Sequence, residues 1–147
     1  MDILIDNKKV FFSDTGENYD SKKKTIILLH GSGQSHVVWS LTTQFLSGQN
    51  FNVFTLDLPG HGNSEGDSLK SIEEMADWLE KIINKIGIKS FCIAAHSQGC
   101  LIALEYAFKY KSKIDKMIFI GGSYEIPVNK SLIDLALKGE MESLNLM

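Results

Sequence analysis

Residues 91–107 read FCIAAHSQGCLIALEYA and are the most informative part of the sequence. It opens with an apolar run of the kind found in strands that are buried on both faces of a sheet. It closes with a run of helical composition. Between the two lies the pentapeptide AHSQG (95–99), so the pattern predicts a sharp strand-to-helix turn with Ser97 at its tip. A hydroxyl exposed at such a joint is a candidate nucleophile.

The residues around Ser97 suit this turn. A tight strand-to-helix turn holds its central residue in a strained backbone conformation. Larger side chains two residues before or after it would collide with adjacent strands, and Ala95 and Gly99 avoid this collision. The turn also sets Ser97 at a helix N-terminus, where unpaired N–H groups favour negative charge. We therefore expect the N–H of Gln98 to face a developing oxyanion.

Outward from this turn, strand-like and helix-like segments alternate. Two short strands, expected to form a hairpin at Asn7, precede three strand–helix pairs, a last strand and a helical tail. The predicted strands cover residues 2–6, 8–14, 25–31, 51–56, 90–96 and 115–122, and the predicted helices cover 35–46, 71–86, 98–110 and 129–139. This order predicts an α/β fold with a mostly parallel sheet and helices on both faces.

Ligands of such sheets bind at the carboxyl ends of the strands. The loops of interest therefore follow Leu29, Leu56, Ala95 and Ile120. Two of them have unusual sequences beside the one that holds Ser97, namely HGSG at 30–33 and DLPGHGNS at 57–64.

Together, in this order and spacing, the three loops resemble those of the α/β-hydrolase family, from about Asp2 to Gly139. The pentapeptide is similar to its nucleophile elbow, with Ala95 where glycine is commoner. HGSG resembles the His-Gly oxyanion loop, and DLPGHGNS resembles the Gly-His-Gly-x-Ser loop. The resemblance implies a serine hydrolase that acts on an ester or related acyl bond with water. It implies Ser97 as nucleophile, the backbone N–H groups of Ser32 and Gln98 as oxyanion donors, and no metal or organic cofactor.

The histidines and the acid in these loops have structural interpretations. His96 adjoins the nucleophile and is expected to be structural or to line a pocket, not to act as the base. His61 shapes its loop and His30 orders the oxyanion loop. Asp57 ties its own loop down through hydrogen bonds. For His36 and Trp39 two alternatives stay open, lining the mouth of the pocket and packing in the core.

The sequence contains no candidate for the base that should activate Ser97, and only a remote one for the acid. The family order is Ser, then acid, then His, yet no histidine follows Ser97. Glu125, after the last predicted strand, is a remote candidate for the acid. Six of the family's eight strands can be counted. We therefore expect the N-terminal half of a hydrolase, with core residues 1–124 and the start of a helical cap at 125–147.

This interpretation has consequences for the chain alone. The base and acid would lie outside it, so it should be inactive. The last strand, near Ile118, would be a bare sheet edge, which invites pairing with another chain. Marginal stability and self-association through that edge are expected. The alternative is a catalytically dead hydrolase-like module with a binding role only. A nucleotide-binding domain is disfavoured because neither glycine-rich phosphate-binding motif is present.

The composition is that of one globular domain. The 147 residues are 44% hydrophobic and 22% charged, with a net charge of −3. This balance disfavours nucleic acid and anionic membranes as partners. No signal peptide or membrane-spanning run is predicted, and the lysines at 22–24 form a solvated turn. Cys92 and Cys100 are expected to be reduced core thiols of a cytoplasmic protein.

Overall fold

A six-stranded mixed sheet forms the centre of the molecule. The computed structural model describes residues 2–13 and 19–139. Along the sheet the strands run in the order β1-β2-β4-β3-β5-β6. Their bounds are β1 Asp2–Ile5, β2 Lys8–Ser13, β3 Thr25–Leu29, β4 Asn52–Leu56, β5 Phe91–His96 and β6 Ile114–Ile120.

The predicted mostly parallel sheet is confirmed. β4, β3, β5 and β6 pair in parallel, whereas β2 is antiparallel to both β1 and β4. The hairpin between β1 and β2 turns at Asp6 and Asn7, which both have positive φ, 50° and 62°. Two such residues make the turn that matches the twist of a hairpin. Residue 14, the end of the predicted second strand, lies outside the described residues.

In the described part of the chain, four α-helices and two 3-10 helices connect and flank the strands. The α-helices are α1 Ser40–Ser47, α2 Ile72–Ile86, α3 Gln98–Lys109 and α4 Lys130–Leu137, and the 3-10 helices are His36–Trp39 and Lys111–Lys113. None of the helices in the described part of the chain is both long and apolar enough to cross a membrane.

The helices lie on both faces of the sheet, as predicted. Side chains alternate between faces along each strand, and the core divides accordingly. Ile27, Ile93 and Ala95 pack with α2 and α3 in the larger cluster. Leu28 and Ala94, which point the other way, pack with Trp39 in a smaller cluster under α1.

The predicted boundaries of α2 hold. Ser71 caps the helix by accepting the N–H of Glu74 at 3.2 Å, and Gly87 ends it in the left-handed conformation, with φ 82°. The carboxylate of Glu74 accepts the N–H of Lys70 at 3.0 Å. In the capping box that the sequence predicts, it would accept the N–H of Ser71. In this chain the reciprocal bond is made to Lys70, the residue before the N-cap, instead of to the N-cap itself.

The segment around α1 differs from the expected helix. It begins with a 3-10 turn at His36 and becomes α-helical only at Ser40. Trp39 and Thr43 are its buried side chains. The apolar stripe noted in the sequence is instead exposed, with Val38 49%, Leu41 82% and Phe45 67% accessible.

The last strand is unpaired along one edge and only partly covered on its faces. Within the described residues β6 pairs with β5 alone, and its apolar residues Met117, Ile118, Phe119 and Ile120 are between 40% and 56% exposed. Helix α4, further along, buries no residue. The chain thus presents an apolar strand of the kind that parallel sheets normally bury.

The two cysteines differ in burial. Both thiols are free, as expected, and Cys100 is buried beneath the turn at Ser97. Cys92 is only half-buried, so its expected place in the core is wrong. It lies on the same face of β5 as Ala94, two residues on, where α1 covers the sheet incompletely.

Candidate active site

Ser97 occupies the strained turn that the sequence predicts. It lies between the end of β5 at His96 and the start of α3 at Gln98, with φ 50° and ψ −118°. Its N–H donates to the carbonyl of Ile120 at 3.0 Å and its carbonyl accepts the N–H of Cys100 at 2.9 Å. The hydroxyl makes no capping bond to the helix. The backbone is therefore held on both sides while the side chain stays available.

Gly99 shows why the turn needs a small residue. A Cβ atom at this position would lie 2.9 Å from the carbonyl oxygens of both Leu29 and His30, at the end of β3. Contacts below 3.0 Å to backbone atoms are not relieved by side-chain rotation. The elbow, residues 95–99, can pack this closely on β3 only with glycine there.

The oxyanion loop, defined as residues 30–36, lies directly against the elbow. A Cβ atom on Gly31 would be 3.0 Å from the Cβ of Ser97. The side-chain oxygen of Gln34 accepts two bonds, from the N–H of Gly31 at 3.0 Å and from Nδ1 of His96 at 3.0 Å. Gln34 therefore joins the loop to the end of β5.

The two proposed oxyanion donors are not used elsewhere. Among the hydrogen bonds of the described residues, none involves the N–H of Ser32 or of Gln98. Gln98 is the first residue of α3, where N–H groups lack partners within the helix. Both N–H groups belong to segments that meet at Ser97.

His30 orders the start of the oxyanion loop, as expected. The ring is buried, and Nδ1 donates to the carbonyl of Gly31 at 2.7 Å. Nε2 accepts the N–H of Leu58 at 3.1 Å, so this nitrogen carries no proton. Burial is the main cause that lowers the pKa of His30 below its ordinary value, although the bond to Gly31 opposes it. A neutral His30 thus links the oxyanion loop to the loop after β4.

Asp57 does more than hold its own loop. Its carboxylate is buried and accepts the N–H of Asn63 at 2.8 Å, within the loop as predicted. It also accepts the backbone N–H of His36 at 2.6 Å and Nδ1 of the same residue at 2.9 Å. The carboxylate therefore bridges the far end of the oxyanion loop and the loop after β4.

The structural roles expected for His61, Trp39 and His36 agree with the structure to different degrees. Nδ1 of His61 bonds the carbonyl of Pro59 at 3.0 Å, within its own loop, which suits its expected role of shaping that loop. Trp39 combines both of its alternatives, since it is buried in the smaller core cluster and also lines a pocket. His36 follows neither alternative, because its bonds go to Asp57. Sequence reasoning missed this pair, which forms because β3 and β4 are neighbours in the sheet, a strand order that the sequence analysis did not predict.

The pocket beside the elbow has a volume of about 280 Å³ and is lined by Gln34, Val38, Trp39, His96 and Ile120. Two buried polar atoms near the site have no hydrogen-bond partner in the described chain, Nε1 of Trp39 and Oε1 of Gln98. Buried polar groups are normally satisfied. These two atoms could therefore form hydrogen bonds with a ligand, or with polypeptide that covers the site.

The proton-transfer partners are not assembled among the described residues. No hydrogen bond within residues 2–13 and 19–139 joins the Ser97 hydroxyl to a histidine. Glu125 lines a groove beside α3 with Leu101 and Phe108, away from these loops. Nor do the described residues contain a group of three or more side chains that could hold a metal ion.

Comparison with known proteins decides the family. A profile of the alpha/beta hydrolase fold matches residues 24–145, most of the chain. The chain belongs to the α/β-hydrolase fold family. A probable lysophospholipase of Arabidopsis thaliana, BODYGUARD 3, is 31% identical over 130 residues, which are 84% of this chain and 26% of that protein. The (E)-2-((N-methylformamido)methylene)succinate hydrolase of Acinetobacter baylyi is 24% identical over 83% of this chain and 44% of that protein.

Solved structures agree on the hydrolase fold. The enol-lactonase of Burkholderia xenovorans superposes with a TM-score of 0.85 at 19% identity, over 99% of this chain and 56% of that one. A carboxylesterase structure from Nitrososphaera gargenis gives 0.81 at 22% identity, over 98% of this chain and 56% of that one. The chain thus spans about a quarter to less than half of these curated relatives and little more than half of these two solved hydrolases.

Proposed function

We propose that this chain carries the nucleophile and the oxyanion hole of a serine hydrolase that cleaves an ester or related acyl bond. The observation that carries the proposal is the backbone of Ser97, held at φ 50° and ψ −118° between β5 and α3. Strain of this kind costs of order 1–3 kcal/mol and persists at functional sites. The hydrolytic activities in the names of the relatives support the same class.

In the proposed reaction, Oγ of Ser97 attacks the acyl carbon and loses its proton to a base. The carbonyl oxygen becomes an oxyanion, which the N–H groups of Ser32 and Gln98 stabilise. Collapse of this intermediate expels the alcohol, which takes up the proton, and leaves an acyl-serine. Water then repeats the sequence, releasing the carboxylic acid and restoring the hydroxyl. Each oxyanion donor of this type contributes about 10²–10³ in rate.

The proton-transfer half is proposed to come from polypeptide outside residues 1–147. No histidine follows Ser97, and the four histidines present are placed in loops before it or directly beside it. His30, His36 and His96 have ring nitrogens bonded to Leu58, Asp57 and Gln34. We therefore assign the base and its acid to no residue of this chain.

The surface that would receive this polypeptide is the bare side of β6. The strand has one unpaired edge, and Ile118 and Ile120 are exposed on the face that α1 flanks. Val38 lines one pocket with Ile120, and Leu41 and Phe45 on α1 are exposed as well. An additional strand paired with β6, followed by a helix that packs over it, would bury both the unpaired edge and the exposed apolar side chains. Without such a complement, the edge is proposed to pair with a second copy of the chain.

A non-enzymatic function is the second candidate, favoured by the lack of a histidine after Ser97. In that case the elbow would hold a ligand or partner without turning it over. The strained serine argues against it, since a site that only binds a ligand does not require this backbone conformation.

We also propose that residues 125–147 are the start of a cap over the site. We further propose a cytoplasmic location, which the free thiols support.

Covalent labelling tests the enzyme proposal. The protein produced from its natural locus, with any polypeptide joined or bound to it there, should react with a fluorophosphonate at Ser97. Ser97→Ala should abolish labelling. Ser32→Ala is the matched control and should react at the wild-type rate, because the proposed donor is a backbone N–H that alanine keeps. The recombinant 147-residue chain alone should label far more slowly, since a serine without its base loses about 10⁴–10⁶ in rate.

Two results would contradict the proposal. One is a folded wild-type protein from the natural locus that does not label at all. The other is labelling that persists in Ser97→Ala. The first result would favour the binding module instead.

A further inference from the structure

The far end of the oxyanion loop is anchored by one buried carboxylate. Asp57 follows β4 directly, and its side chain has no exposed surface. Its oxygens receive the backbone N–H of His36 at 2.6 Å and Nδ1 of the His36 ring at 2.9 and 3.0 Å. The ring itself is 19% exposed and lies against Phe11. A carboxylate removed from water is stable only with donors such as these.

The same residue is tied to two other parts of the fold. The carboxylate accepts the N–H of Asn63 at 2.8 Å. The Asp57 carbonyl accepts the hydroxyl of Ser64 at 2.7 Å, and that hydroxyl accepts the N–H of Phe11 on β2 at 2.9 Å. Asp57 is thus fixed relative to the sheet, so whatever bonds to it is fixed as well.

Ser32 lies between anchored positions of the loop. His30 holds the start through Leu58, and Gln34 holds the middle through His96. His36 holds the end through Asp57. Ser32 itself is exposed and makes no bond that would position it. The location of its N–H therefore depends on the anchors around it.

We propose that His36 and Asp57 are positioning residues for the oxyanion hole, which hold the N–H of Ser32 at its working distance from Ser97. The inference rests on the proposed function, because it concerns the same site. An oxyanion donor must lie within about 2.7–3.1 Å of the developing charge. A displacement of about 1 Å can cost about 10² in rate. Neither residue is among those that line the pocket beside the elbow, so their effect would be transmitted through the loop.

The test compares two variants of His36 with a control. His36→Ala removes the ring donor, whereas His36→Asn keeps an N–H near the position of Nδ1. Asn63→Ala removes an exposed side chain from the partner loop but keeps the backbone N–H that bonds Asp57. Hydrogen exchange is measured for the amides of Gly31 and Gln34, whose N–H groups are hydrogen-bonded, in the protein from its natural locus. Labelling by a fluorophosphonate is measured in the protein from its natural locus, as the rate constant kinact and the affinity KI.

In His36→Ala, the loop amides should exchange at least several-fold faster. The value of kinact should fall about 10–10²-fold while KI stays within about two-fold, since the oxyanion contact forms only in the transition state. His36→Asn should recover most of both losses, and Asn63→Ala should match the wild type.

The proposal is overturned if His36→Ala leaves exchange of the loop unchanged. It is also overturned if kinact is unaffected, or if His36→Asn is as impaired as His36→Ala. Failure of the proposed function looks different, because the wild-type protein itself then does not label. In that case the exchange measurement still decides whether the pair anchors the loop.

Discussion

At the scale of single residues, the site depends on close contacts between neighbouring segments that most other side chains could not make. The elbow packs on β3 through Gly99, whose missing Cβ would meet two carbonyl oxygens at 2.9 Å. Ser97 keeps its positive φ because its N–H is bound by Ile120 on the neighbouring strand. The neutral ring of His30 accepts one backbone N–H and donates to one carbonyl. Each of these contacts joins segments that are distant in sequence.

Gly99→Ala should therefore destabilise the fold. Overpacking against backbone costs typically 1–3 kcal/mol, and we expect about 2 kcal/mol or more here, measured by urea unfolding. Gly48→Ala is the matched control, because a Cβ there would find only the carbonyl of Phe45 at 3.5 Å. It should leave stability within about 0.5 kcal/mol of the wild type. Equal stabilities of the two variants would contradict the close packing of the elbow.

Acid should destabilise the fold through His30. Burial lowers the pKa of its ring below the ordinary value of 6.5, which the unfolded chain keeps. As pH falls below about 6.5, the unfolded state binds a proton that the folded state refuses, so the free energy of unfolding decreases until the folded pKa is passed. Above about pH 6.5 the contribution of His30 is constant.

Urea unfolding between about pH 7.5 and about pH 5.5 checks this expectation. His30→Gln, whose side-chain oxygen can still accept the N–H of Leu58, should show a shallower fall in stability with acid than the wild type. The expectation fails if the His30 ring of the folded chain titrates at or above pH 6.5 by NMR.

At the scale of elements, the two flanking layers of the sheet are unequally complete. On one face α2 and α3 pack together, and Tyr106 on α3 donates from its hydroxyl to Glu80 on α2 at 2.6 Å. Burial, followed by this bond to a carboxylate, raises the pKa of Tyr106 above its ordinary value. On the other face lies α1, with Leu41 and Phe45 exposed. The edge strand β6 borders this incomplete layer.

The isolated chain should therefore self-associate through β6, and a charge on that strand should prevent it. Ile118 is already 56% exposed, so Ile118→Lys should abolish association with little effect on the monomer. Leu4→Lys is the matched control, because Leu4 is 61% exposed on β1 at the opposite edge of the sheet. Sedimentation velocity over a range of concentrations measures both. Association that survives Ile118→Lys but is lost in Leu4→Lys would place the contact at β1.

At the scale of the whole molecule, the two edge strands of the sheet differ in composition. The hairpin of β1 and β2 forms one edge, whereas β6, at the other edge, carries half-exposed apolar residues on both faces. A strand with this composition is typical of a sheet interior. The carboxyl ends of β3, β4 and β5 nevertheless bring all three loops together beside Ser97, so the proposed oxyanion donors both belong to segments of this chain.

The order of elements, the resemblance to the family and the position of the elbow could all be predicted from the sequence. These depend on short-range patterns, namely the alternation of strand and helix, the small residues around Ser97 and the three loops at strand ends. The apolar stripe of α1 was equally readable, but its exposure was not, because burial depends on what lies opposite.

Three-dimensional packing was needed to find that His36 bonds Asp57 and that Trp39 both packs in the core and lines a pocket. His36 and Asp57 are 21 residues apart and meet because β3 and β4 pair side by side. A hydrogen bond between two loops forms only when donor and acceptor are placed to within a few tenths of an ångström of the right distance. Strand register and packing determine that placement, and the order of residue types along the chain does not specify it.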